Sequence, residues 1–229
     1  MNEGTLEEGK RFLVSYLKGK KIDYETIHPW RNSWEFIVLH SLRVEGYVKK
    51  ILASEEQVLT QEEALTIRLA AILHDIGRVH TRDEHALIGR NIIEGWLREN
   101  QALSNEINDV DKVLYLIERH SNKEGDESDY CLNILRDADV LDEIGVMSVF
   151  MASNWIDRKN PYFFQLLSDR VESYELDFID KGFKLINTEC AKSMLSEKRK
   201  FMEQLVKHSK DELYGTEMLA EFIIEDYFG

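Results

Sequence analysis

The sequence predicts an all-α fold, and three observations carry that prediction. The 229 residues include only two prolines, Pro29 and Pro161. Apolar residues recur at helical spacing, and alternating strand-like runs are scarce. Residues that cap helices stand directly before several of the apolar-periodic stretches.

Taken in order, Thr5–Leu17 reads as a short amphipathic helix, followed by an irregular stretch from Tyr24 to Arg31. Asn32 with Glu35 resembles a capping box. The helix it opens carries Phe36, Leu39, Val44, Tyr47, Val48 and Ile51 as its inner face. Thr60-Gln61-Glu62-Glu63 is a clearer box, and Leu65, Leu69, Ile72, Leu73 and Ile76 follow it, with Gly77 as the stop. A further helix begins at Thr81 or Asp83 and buries Ile88, Ile92, Ile93, Trp96 and Leu97. Glu106–His120 and Asp129–Asp137 flank an acidic loop, Ser121–Ser128, and Asp139–Trp155 comes next. Beyond the turn Arg158-Lys159-Asn160-Pro161, the stretches Phe163–Phe183, Thr188–His208 and Glu212–Phe228 are helical in pattern. No internal repeat or low-complexity linker divides the chain. We expect one all-α domain over 1–229, with a core at about 30–157 and a helical extension at about 161–229.

Charge narrows the partners. Forty-three acidic against 29 basic residues give a net charge of −14, which disfavours duplex nucleic acid and anionic lipid. An anionic substrate would therefore need positive charge supplied locally. The acidic start MNEGTLEEGK is unlike a signal peptide, and no apolar run reaches the roughly 18 residues of a spanning helix, so a cytoplasmic protein with no membrane partner is expected. Cys131 and Cys190 make no disulfide framework and read as packing residues. Trp30, Trp34, Trp96 and Trp155 read as core anchors.

Of seven histidines, four fall on inner faces or helix ends: His40, His74, His85 and His120. Each alone is most simply a hydrogen-bonded core residue. Burying all of them with Asp75 and Asp139 is costly unless one shared cation satisfies the set. His74 and Asp75 are neighbours at a helix end just before Gly77, where both can converge on one ion and the carboxylate can bridge two. His28 and His208 read as structural or exposed, and His80 as a surface residue or a pocket acid.

His40, His74-Asp75 and Asp139, in their order, spacing and contexts (His40-Ser41-Leu42-Arg43, Leu73-His74-Asp75-Ile76-Gly77-Arg78 and Asp137-Ala138-Asp139), resemble the H…HD…D signature of the HD-domain metal-dependent phosphohydrolases. The resemblance spans about residues 34–157, and Asn187 to Met202 is similar to the helical extension of some bacterial members. It implies an HD-domain helical bundle with additional C-terminal helices. It also implies divalent-metal hydrolysis of a phosphoester or phosphoanhydride, usually in a nucleotide, by metal-activated water. His85 and His120 resemble the additional histidines of binuclear members. The implied ligands are His40, His74, Asp75 and Asp139 for one ion, and Asp75, His85 and His120 for another. A mononuclear site with His85 and His120 orienting substrate is the alternative.

The metal could be Mn, Fe, Co, Mg, Ni or Zn. Asp75 and Asp139 neutralise one divalent ion, whereas two ions leave an excess of +2 that attracts a small phosphorylated substrate. Arg43 and Arg78 are candidate phosphate contacts, the other reading being exposed arginines, and Asp142 orients a histidine or is a solvated helix residue.

Departures from family patterns narrow the activity. Ile76 to Val79 hold no acidic pair of the kind alarmone hydrolases carry. His120-Ser121, with no Gly-Tyr-Pro, disfavours cyclic-dinucleotide phosphodiesterases, and Phe36 in place of a carboxylate disfavours a third metal. Two other readings keep the same residues: a di-iron HD-type oxygenase, and a nucleotide-sensing module without turnover. Oligomeric state is not legible.

Overall fold

In a computed structural model of the chain, residues 1–22, 24, 28–54, 59–123 and 128–214 are described. All regular structure among them is helical: α1 (Glu3–Leu17), α2 (Trp34–Ser54), α3 (Gln61–Leu73), α4 (His85–Glu99), α5 (Gln101–Glu106), α6 (Val110–Arg119), α7 (Tyr130–Glu143), α8 (Val146–Ala152), α9 (Phe163–Arg170), α10 (Leu176–Leu185) and α11 (Glu189–Tyr214), with short 3₁₀ and π turns between. The all-α expectation holds. The expected helix at Glu212–Phe228 lies mostly outside the described residues.

The chain separates into two compact units, one of residues 1–142 with 185–192 and the other of 143–184 with 193–229. In the first, α3 is the central rod, packed by α1, α2 and α6, while α4 packs on α6 and on the 3₁₀ turn Ile76–Val79. Its sequence explains the position. Leu65, Thr66, Ile67 and the run Leu69–Leu73 are all buried, so α3 is apolar round most of its circumference and needs covering on several sides. The Thr60 hydroxyl accepts from the Glu63 amide while the Glu63 carboxylate accepts from the Thr60 amide, which is the capping box foreseen. Arg68 on α3 reaches Glu45 of α2 at 2.7 Å and Glu3 of α1 at 2.5 Å, joining the three helices.

Several boundaries differ from the expectation. The residue that caps α2 is Ser33, not Asn32: its Oγ accepts from the Phe36 amide, and Asn32 belongs to the preceding 3₁₀ turn. The inner face of α2 is Ile37, Val38, Ser41, Val44, Glu45, Val48 and Ile51, so Leu39 is 56% exposed and Phe36 half-buried. On α4 the buried line runs through His85, Ala86, Gly89, Ile93 and Leu97; Ile88 and Ile92 lie at its margin. A small residue, Gly89, occupies the centre of that face, and apolar counting passes over it. Helix α7 runs unbroken through Asp137–Asp139 to Glu143, and the break falls at Gly145, whose φ of 121° favours glycine. The helix expected at Glu106–His120 starts later: Glu106 is the last residue of α5, and α6 begins at Val110, capped by Asp109 through the Lys112 amide.

The second unit holds α8, α9, α10 and most of α11. The predicted helix Phe163–Phe183 appears as α9 and α10 joined through a π turn, Val171–Glu175. Trp155 is 52% exposed with the Arg170 guanidinium over its ring, so it is not a core anchor. Trp96 is half-buried and stacks on Phe12 of α1 at 4.2 Å. Trp34 is half-buried, and the Trp30 side chain lies outside the described residues. No helix among the described residues is long and apolar enough to cross a membrane.

Candidate metal centre

Three helix ends and one helix middle bring the histidines together. His74 is the C-cap of α3 and His120 the C-cap of α6, while His85 opens α4. The last turn of a helix leaves carbonyls without partners. His74 and His120 use them: their Nδ1 atoms lie 2.8 Å from the Ala71 carbonyl and 2.6 Å from the Ile117 carbonyl, each three residues back. His85 repeats the device with the Arg82 carbonyl at 2.6 Å. His40, in the middle of α2, has no free carbonyl, and its Nδ1 lies 2.8 Å from Asp142 Oδ2 instead. A carbonyl or carboxylate can only accept, so each Nδ1 carries the proton and each Nε2 is left with a lone pair whenever the ring is neutral.

The four Nε2 atoms face one another across Asp75. Those of His40 and His74 are 3.3 Å apart, and those of His85 and His120 are 3.2 Å apart. Asp75 Oδ2 lies 3.3 Å from His40 Nε2, while Oδ1 lies 3.3 Å from His85 Nε2 and 3.5 Å from His120 Nε2. Asp139 Oδ1 is 3.2 Å from His40 Nε2 and 3.8 Å from His74 Nε2. All six side chains are buried. The groups His40–His74–Asp75, Asp75–His85–His120 and His74–His120–Asp139 are each compact enough to hold an ion, so Asp75 joins the His40 and His85 groups while His74 and His120 are each shared with the group of Asp139.

These residues fit a cation. Asp75 Oδ1 is buried with no hydrogen-bond donor, and facing lone pairs at 3.2 Å have nothing to share unless a positive charge stands between them. Nitrogen and carboxylate donors together suit a divalent transition metal. Burial pushes His74 down to about 3 and His85 down to about 4, so both rings are neutral and ready to ligate. His40 goes the other way: burial works to lower it, but bonds to Asp139, Asp142 and Asp75 raise it well above 6.5. Asp75 is held well below the usual carboxylate range against its burial, chiefly by the Arg78 guanidinium.

The signs give a pH dependence for the metal-free protein. His74 and His85 refuse protons that the unfolded chain accepts near 6.5, so their contribution is complete above that value and is withdrawn as the pH falls towards 4. His40 contributes with the opposite sign, fully below 6.5 and less as the pH rises through its raised value. With two rings against one, the melting temperature of the EDTA-treated protein is expected to fall as the pH drops from 6.5 towards 4. A pH series of thermal scans measures it, and a rise over that range contradicts the assignment.

Gly77 explains how His85 reaches Asp75. A Cβ on Gly77 would stand 2.1 Å from the His85 carbonyl oxygen and 2.7 Å from the Gly89 nitrogen. The turn after His74-Asp75 therefore lies directly against the first turn of α4. The expectation that Gly77 stops a helix is superseded: α3 ends at Leu73, and Gly77 lies within the next 3₁₀ turn, Ile76–Val79, without a positive φ.

The arginines sit as follows. Arg78 Nε is 2.5 Å from Asp75 Oδ2, with a third of its side chain exposed. Arg43 grips Asp142 with two bonds of 2.7 and 2.9 Å and is nearly half exposed. Asp142 thus lies between Arg43 and His40 and fixes which nitrogen of His40 points inward. His80 is exposed, its Nε2 2.8 Å from the Tyr16 hydroxyl, and His208 is exposed.

Two residues escaped the sequence reading. Lys123 places its ammonium on Asp139 Oδ2. Asp137 is fully buried and accepts from the Asn187 amide and side chain at 2.9 Å and from the Thr188 amide at 2.7 Å, which anchors the segment leading into α11. Burial pushes the Asp137 carboxyl up despite these donors. Lys123 breaks no periodicity and completes no motif, and Asp137 stands within Asp137-Ala138-Asp139 with no local signal for its bonds to Asn187 and Thr188, 50 and 51 residues away.

The HD domain family matches residues 37–144, which hold all six clustered side chains. The match covers just under half of the chain. Solved structures agree over nearly the whole chain. A predicted HD superfamily hydrolase from an uncultured Thermotogales bacterium is 22% identical with a TM-score of 0.58, covering 93% of this chain and 99% of its own. The Lin1889 protein of Listeria innocua is 23% identical with a TM-score of 0.55, covering 95% of this chain and 100% of its own. Bacillus subtilis YpgQ, solved in complex with ADP, is 19% identical with a TM-score of 0.57, covering 93% of this chain and 97% of its own. At these identities the likeness establishes the fold. No curated protein matches the chain.

Proposed function

We propose that this HD-domain protein is a metal-dependent phosphohydrolase that cleaves a phosphoester or phosphoanhydride in a nucleotide or other small phosphorylated metabolite. The observation that carries the reading is Asp75: its two oxygens face different imidazoles, Oδ2 towards His40 and Oδ1 towards His85 and His120. On this reading His40, His74, Asp75 and Asp139 hold one divalent ion, and Asp75, His85 and His120 hold a second. Divalent ions held there supply Lewis acidity and an activated water for attack at phosphorus.

The protein's own groups do the rest. The three backbone carbonyls and Asp142 keep the Nε2 lone pairs aimed inward, so no reorientation is needed on loading. Two divalent ions against two carboxylates leave the local positive excess that a chain of net charge −14 needs to draw in an anion. Arg78 is the nearest guanidinium with solvent access and is assigned to the substrate phosphate; Arg43 acts through Asp142 or reaches substrate from the rim. A nucleotide substrate is supported by YpgQ, which shares the fold and was solved with ADP.

The test is a panel of phosphomonoesters, nucleoside mono- and triphosphates and dinucleoside polyphosphates, each assayed with manganese, cobalt, iron and magnesium. Release of phosphate or pyrophosphate that chelation abolishes and metal restores is expected. Oxygen consumption by iron-loaded protein without phosphate release would favour oxygenase chemistry in its place. Nucleotide binding without product under every metal would leave a sensor.

A further inference from the structure

Three carboxylates bound the histidine cluster, and each is matched by one cation: Asp75 by Arg78, Asp142 by Arg43 and Asp139 by Lys123. The three pairs are not equivalent. Arg43 is locked by a two-point fork, and Arg78 lies one turn along the chain from Asp75. Lys123 comes from the turn that follows His120, where its amide bonds the Ser121 carbonyl at 3.1 Å, and it offers a single charge on a flexible stem. Asp139 divides its oxygens between two sides. Oδ1 faces the imidazoles of His40 and His74, and Oδ2 faces the ammonium. The Lys123 side chain is 19% exposed against 9% for Asp139, so it is the more solvent-accessible member of the pair.

We propose that Lys123 is a phosphate-binding residue of this site, resting on the outer oxygen of Asp139 until a cation engages the inner one, and then passing to a phosphate oxygen of the substrate. The inference rests on the phosphohydrolase reading and adds a substrate contact to it. A divalent charge on the inner side takes up the negative charge that holds the ammonium, and it repels the ammonium outward. A phosphate arriving from solvent brings more negative charge than the shared carboxylate retains. A compact ammonium with three donors on a four-carbon stem can make that exchange without backbone movement. The alternative role, a prop that only holds Asp139 in place, makes the opposite prediction for metal binding.

Calorimetry with manganese and inorganic phosphate separates them. In Lys123→Met and Lys123→Gln, manganese is expected to bind as tightly as in the unaltered protein or tighter, because a competing cation has gone. Phosphate affinity for the manganese-loaded variants is expected to fall tenfold or more, with Lys123→Arg recovering part of it. Phosphate affinity within twofold of the unaltered protein overturns the proposal, as does undetectable phosphate binding to the unaltered loaded protein. Weakened manganese binding in both variants also overturns it and identifies a prop. Should the unaltered protein hydrolyse no phosphoester with any metal, the functional reading fails, and the phosphate titration still decides the role of Lys123.

Discussion

Asp75→Ala is expected to abolish metal-dependent phosphoester turnover, with a loss of about 10³-fold or more in kcat/KM, or roughly 4 kcal/mol of barrier. The magnitude follows from position. Among the described residues, Asp75 alone has one oxygen 3.3 Å from His40 Nε2 and the other 3.3 Å from His85 Nε2. Removing it takes a charged donor from both halves of the cluster and leaves Arg78 beside the imidazoles without its carboxylate. Bound metal, measured by elemental analysis after equilibrium dialysis, is expected to fall together with activity, while circular dichroism reports a folded helical protein. Asp75→Asn keeps the shape and loses the charge, so it should lose nearly as much. Full turnover in either variant refutes the assignment.

Gly77→Ala is expected to be the most damaging single-methyl change in the first unit. Its Cβ would lie 2.1 Å from a backbone oxygen and 2.7 Å from a backbone nitrogen, so no rotamer change can relieve the clash and α4 must move as a body. Overpacking against backbone belongs at the upper end of the usual range, about 3 kcal/mol. For a protein of this size that is a fall of roughly 6–12 °C in melting temperature. Because His85 opens α4, the same displacement withdraws it from Asp75 Oδ1. Metal stoichiometry should therefore drop on the His85–His120 side more than on the His40–Asp139 side. An unchanged melting temperature would show that the contact between the turn and α4 is slack.

Which residues were legible in advance follows from how locally each is specified. Thr60 and Glu63 cap α3 through bonds three residues apart, so the motif contains its own geometry. His74-Asp75 stood out because an adjacent histidine and aspartate close an apolar run, and the structure places both in the cluster. Leu39 went the other way. Apolar spacing on α2 is compatible with two neighbouring faces, and only the packing of α3 against α2 selects Ile37, Ser41, Val44 and Val48 as the inner one. Asp109 and Ser33 divide or shift helices by side-chain bonds that weaker caps nearby could equally have made.

Composition, caps and periodicity sufficed for the helical class, and inner-face position together with the resemblance to the HD-domain signature picked out the six clustered side chains, because a metal-binding atom belongs to its residue type wherever the residue lies. Pairing is another matter. That Asp142 turns His40, that Gly77 admits α4, that Asp137 anchors Thr188 and that Lys123 rests on Asp139 are contacts between segments 16 to 102 residues apart or set by backbone approach. Such contacts leave no periodic trace along the chain. They come into being only when α3, α4, α6 and α7 bring their ends to one place, since an ion pair or a steric limit depends on distance in space.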